Sequence, residues 1–168
     1  MLDAPLLVLV DLETTDAAPT GPSLELLTAA RELTGGDVVA LALQPLGESA
    51  SAALAGAGAT RLLSADLGEA AHLPATAADA VVAAVGAVQP AAVLVVSDYR
   101  GKEIAGRAAI LLDSAASSDL ADLRLSEGAD AITASKLVLS GSWTTTSALA
   151  LGGPAPVLVI RPGAYEPL

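Results

Sequence analysis

Apolar and polar positions alternate along this chain in blocks rather than residue by residue. The run Leu6-Leu-Val-Leu-Val10 is unbroken and ends at Asp11. So short a run suits a strand covered on both faces, as in a parallel sheet. A loop holding Pro19, Gly21 and Pro22 follows, and then Leu24, Leu27 and Ala30 recur at helical spacing. That spacing predicts a helix over 23–33, capped by Ser23 and stopped by Gly35-Gly36. The same alternation continues: a strand over 38–43, a helix over 50–54 ending at Gly56, and a strand over 61–64. Next come an Ala- and Val-rich helix from a cap at Thr76 to Gln89, a strand over 92–97, and a helix from Arg100 or Gly101 to about Leu112. Strands alternating with helices at these intervals predict a parallel sheet with right-handed crossovers.

After Ser118 the rhythm changes. Segments 120–125, 132–139, 143–148 and 157–160 read as strands with no helix between them, and Ser140-Gly141-Ser142 suits a hairpin turn. Thr144, Thr145 and Thr146 favour extended backbone. The expected fold is therefore an α/β three-layer sandwich, Rossmann-related. Its central sheet is mostly parallel, and antiparallel strands are added to the sheet edge in the C-terminal third. Residues 1–161 form one domain, and 162–168 have the Pro- and Gly-containing composition of a linker.

Composition narrows the function classes. At 168 residues the chain can bury roughly two-thirds of its unfolded surface. Hydrophobic residues make up 53%, much of it alanine, yet no apolar stretch approaches the about 20 residues that span a bilayer. No basic segment precedes an apolar run at the start, so a soluble, cytoplasmic protein is expected. Cysteine is absent, which removes disulfides, thiolate catalysis and cysteine-bound metals. The net charge of −11 repels phosphate backbones, and nucleic-acid binding is not expected. With 2% aromatics, no Phe, one Trp and two Tyr, little is available to stack on a base or a flavin ring.

Candidate chemistry is sparse. Gly56-Ala57-Gly58 follows a helix and leads into a strand, the wrong context for a dinucleotide fingerprint, and no P-loop pattern occurs. The segment Ser97-Asp98-Tyr99-Arg100-Gly101-Lys102 should lie at the carboxyl end of the fourth strand, where open α/β sheets bind ligands. Asp11, Leu12 and Glu13 would face it across the crevice. Asp11, Asp98, Arg100 and Lys102 are thus the binding candidates, since a helix N-terminus with two cations can hold an anion. The bland alternatives are surface pairing of Glu103 with Arg107, and Asp98 acting as a cap or as the partner of Lys102. His72 has no second His or Cys to join it, so no metal site is expected. Trp143 reads as a core or edge filler, or else as an anchor at an intersubunit contact. The acidic residues are scattered singly and no serine has a positioned base, so no catalytic group is expected.

Three stretches resemble the alpha subunit of electron transfer flavoproteins: Leu24 to Leu33; Arg107, Ala109, Leu112-Asp113 and Ser118-Asp119; and Val157 to Tyr165. Where that family commonly has an Arg and a Tyr-Gly-Gly-like turn, this chain reads Lys136-Leu-Val-Leu-Ser-Gly-Ser-Trp143. The resemblance implies a non-enzymatic N-terminal domain that contributes contact surface to a heterodimer with a beta subunit. The complete protein would carry FAD and relay electrons from flavin dehydrogenases, such as those of fatty-acid oxidation, toward the quinone pool. Most FAD-binding residues of that family lie in a second domain beyond the position of Leu168, so this chain alone is not expected to hold the flavin. The alternative is a stand-alone nucleotide-binding domain of the universal-stress or adenine-nucleotide-hydrolase-like type.

Overall fold

The computed structural model describes residues 1–167. The chain begins with β1 (Leu6–Val10), α1 (Gly21–Leu33), β2 (Val38–Ala42), α2 (Glu48–Gly56) and β3 (Arg61–Ser64). A short 3-10 turn, Gly68–His72, leads into α3 (Pro74–Val88), β4 (Ala92–Val96) and α4 (Tyr99–Leu111). The chain then runs through β5 (Ala116–Leu120), β6 (Asp122–Leu125), β7 (Ala131–Val138), β8 (Trp143–Ala150) and β9 (Val157–Ile160).

Six strands form one parallel sheet in the order β3-β2-β1-β4-β9-β5. Strands β1, β2, β4 and β9 are buried at every position. Because strand side chains alternate faces, each run feeds two cores at once. Leu6, Val8, Leu94 and Leu158 pack beneath α1, whereas Leu7, Val39, Val93 and Val159 pack against α3 and α4. Each large apolar side chain so covered stabilises the fold by about 1.5–3 kcal/mol relative to exposure. On α3 the core-facing residues are Ala77, Ala78, Val81 and Ala84, small enough to let the helix lie close to the sheet. The three-layer sandwich with a parallel centre is as the alternation predicts.

The C-terminal third departs from expectation in its pairing. Strands β6, β7 and β8 make a separate three-stranded antiparallel sheet instead of extending the edge of the large one. Their Leu123, Ile132, Ala134 and Leu149 join the α1-side core, so this small sheet occupies the layer that a crossover helix would fill. Strand β9 then returns to run parallel between β4 and β5. Its unbroken Val-Leu-Val-Ile is the pattern of a doubly covered strand. The expected strand over 120–125 takes in the last residue of β5 and all of β6, which part at Ala121; just before, Asp119 adopts φ +61 where the β5–β9 register shifts. Aspartate tolerates this left-handed conformation better than most residues.

Two helix starts also differ. The N-cap of α1 is Thr20 and that of α3 is Leu73; each helix begins with a proline in its first two positions, so fewer backbone donors need a cap. Ser23 lies inside α1, where its hydroxyl accepts the Asp11 backbone N–H at 2.8 Å and ties the helix to the end of β1. In the tail, Tyr165 is half-buried and its hydroxyl accepts the Leu123 N–H at 2.9 Å, while the Gly163 N–H donates to Glu25 Oε2 at 2.7 Å. Leu168, the last residue of the expected linker, lies outside the described residues.

Candidate functional site

The chain moves outward from β1 to β2 to β3 and then crosses to β4 on the opposite side of β1. Strand order therefore reverses between β1 and β4, and a crevice opens at their carboxyl ends. It holds a cleft of about 190 Å³ lined by Asp11, Leu12, Gln44, Ala71, His72 and Arg100, among others.

Topology brings Asp11 and Arg100 together across 89 residues of sequence. Arg100 Nη1 donates to Asp11 Oδ1 at 2.9 Å and Nη2 donates to the Ala71 carbonyl at 2.6 Å. The guanidinium thus latches the turn Gly68–His72 to the end of β1. Its Nε is buried and has no partner among the described residues. The other two candidates lie outside the cleft. Asp98 caps α4 by accepting the Gly101 N–H at 2.6 Å, so the amide that an anion would need first is already engaged. Lys102 reaches sideways to Asp119 Oδ1 at 2.8 Å, and Ser97 Oγ donates to the same oxygen at 2.9 Å. The hydrogen bond from Lys102, more than its charge, holds the Asp119 carboxyl below its ordinary value.

Nothing local in the sequence points to Asp119 as the partner of Lys102, because the contact exists only once β5 is laid beside β9. Arg107 likewise pairs with Asp79 of α3 at 3.4 Å and not with Glu103 one turn away. Glu13 is exposed and takes no part in the cleft, whereas His72 lines it while remaining exposed to solvent. Among the described residues, no group of three or more His, Cys, Asp or Glu is gathered as a metal site. No described helix is long and apolar enough to cross a membrane. Trp143 is not a core filler. It stands 67% exposed at the start of β8, because the far half of the β7–β8 hairpin runs beyond the covered part of the small sheet.

Ligand pockets for small molecules occupy roughly 300–1,000 Å³, and this cleft is well below that range. Its one arginine is already paired with a carboxylate, and no Phe, Trp or Tyr ring is among its lining residues. These residues do not fit a flavin.

A family profile described as the electron transfer flavoprotein domain matches residues 8–168. The chain belongs to that family. None of the curated proteins matches it. In this electron transfer flavoprotein domain, the three stretches that carry the resemblance fall on α1, on the passage from α4 into β5, and on β9 with its exit. Membership implies a partner within an electron transfer flavoprotein complex, whose members transfer electrons. The profile match extends across the whole excursion through β6, β7 and β8.

Proposed function

We propose that this chain is the N-terminal subunit-interaction domain of an electron transfer flavoprotein alpha subunit. It supplies contact surface and rigidity to a cytoplasmic alpha/beta heterodimer. The complete heterodimer carries FAD and relays electrons from flavin dehydrogenases, including those of fatty-acid oxidation, toward the quinone pool. The domain itself performs no catalysis, and the flavin is held by other polypeptide in the complex. Membership of the family supports the setting. The observation that supports the division of labour is that the polar groups of the crevice are already engaged: Asp11 and Arg100 pair across it, and Asp98 occupies the first turn of α4.

The test is to mix the chain with FAD and separate it by gel filtration. The expected result is protein without yellow absorbance. Stoichiometric co-elution of flavin would overturn the assignment. Calorimetry with ATP and AMP separates it from the stand-alone nucleotide binder, for which micromolar affinity is required.

A further inference from the structure

Among the described residues there are four sheet edges, and three are protected in the ways proteins ordinarily protect them. Strand β3 is four residues long and carries Arg61, paired with Asp37 at 3.6 Å. Strand β5 is broken by its irregularity at Asp119, itself held by Lys102. Strand β6 is four residues long and carries Asp122 and Arg124, paired with each other at 2.8 Å. Strand β8 has none of these devices. It is eight residues long, reads Trp-Thr-Thr-Thr-Ser-Ala-Leu-Ala, and contains no charge and no proline. Its pairing with β7 is unbroken from Ala131↔Ala150 to Val138↔Trp143, so its outer edge is regular throughout. Every residue except Leu149 is exposed.

The charge pattern says what can cover that edge. The chain has 19 acidic residues and a net charge of −11, so two copies repel over most of their surface. Residues 131–150 contain none of those acids and a single cation, Lys136. This hairpin is therefore a surface on which two copies can approach without opposing carboxylates.

The side-chain order is also self-complementary. Trp143, Thr145, Ser147 and Leu149 share one face of β8, the face on which Leu149 meets Ile132 and enters the core. In an antiparallel pair with a two-fold axis at Thr146, Thr145 of one copy lies opposite Ser147 of the other, and Thr144 opposite Ala148. Trp143 of each copy then lies opposite Leu149 of the other, so the exposed indole continues its neighbour's apolar face. A two-fold contact needs such a patch to complement itself.

We propose that β8 pairs antiparallel with β8 of a second copy of this chain about an axis at Thr146, joining the two small sheets into one. This strand addition uses no group of the switch-point crevice. A failed flavin or nucleotide assay leaves it untouched.

Two built-in features make the test clean. Trp143 is the sole tryptophan, and the chain has no cysteine. Light scattering after gel filtration should give a dimer, and the indole emission should move to the blue as concentration rises. Thr146→Lys places two ammonium groups face to face at the axis on an exposed position. It should weaken the dimer at least about tenfold, a cost of ~1.4 kcal/mol, with the circular dichroism spectrum unchanged. Residues opposite one another in an antiparallel pair have Cα atoms about 4.5–5.5 Å apart, within disulfide reach. Mild oxidation should therefore link Thr146→Cys into a covalent dimer, while Ala52→Cys on exposed α2 stays single. A chain that remains monomeric with unshifted emission overturns the proposal. So does a dimer indifferent to Thr146→Lys, which must use another surface. A chain monomeric alone, whose indole becomes covered only when another flavoprotein subunit is added, assigns the edge to that subunit and equally overturns self-pairing.

Discussion

Gly101 sits where the first turn of α4 rests on the end of β4. A Cβ there would overlap the Val96 carbonyl oxygen and lie 3.1 Å from Asp98 Oδ1. Gly101→Ala must push the helix away from the strand. It is expected to destabilise the protein by about 1–3 kcal/mol, read as a lower urea midpoint; an unchanged midpoint would show that the turn has slack. Tyr165 offers a test through pH. Burial pushes its hydroxyl up to about 12, so the fold favours the neutral phenol. Its folded value lies above the unfolded one of about 10, and its contribution is therefore complete below pH 10 and lost as pH rises through about 12. An absorbance titration of the folded protein should show a phenolate step near 12 that disappears in Tyr165→Phe. The same variant leaves the Leu123 N–H without its acceptor and should lose about 1 kcal/mol.

Elements differ in how plainly the sequence announces them, and burial decides which are plain. Strands β1, β2, β4 and β9 are covered on both faces, so each reads as an uninterrupted apolar run. Strand β5 is Ala116-Ser-Ser-Asp-Leu120 at a sheet edge, with only Leu120 buried, and nothing in its pattern distinguishes it from a loop. The parallel placement of β9 was signalled by its composition, but position among the late strands suggested otherwise. In the crevice, the alternation of strands and helices sets Asp11 and Arg100 on facing segments, although not as a pair. Lys102–Asp119 and Arg107–Asp79 are not legible even so far, because each joins elements whose adjacency is tertiary. The Lys102–Asp119 contact fastens α4 to β5, and it carries an acid signature. A carboxyl whose folded value is depressed contributes fully above its unfolded pKa of about 4 and loses that contribution as pH falls through the lower folded value. Stability should thus drop on acidification below about pH 4 in the native protein. Lys102→Met should flatten that part of the curve, measured by urea unfolding at a series of pH values; an identical acid limb would dismiss the contact as a surface accident.

At the scale of the whole molecule, two cores flank one sheet, and β9 is the strand that closes it. Leu158 is completely buried among the α1-side residues, so Leu158→Ala should cost about 2–5 kcal/mol. Leu137→Ala, at an exposed position of the hairpin, should stay within about 0.5 kcal/mol of the parent. Thermal or urea denaturation of the pair distinguishes them, and equal losses would mean that β9 is not the keystone its burial makes it. Its place in the order has a further consequence during synthesis. A nascent polypeptide that has emerged only as far as β8 already owns both neighbours of the missing strand, yet β4 has an unfilled, wholly apolar flank and β5 has nothing to pair with. Until residues 157–160 leave the ribosome the sheet has an open seam, and a ribosome stalled just short of them would hold up a sticky template for any stray extended segment.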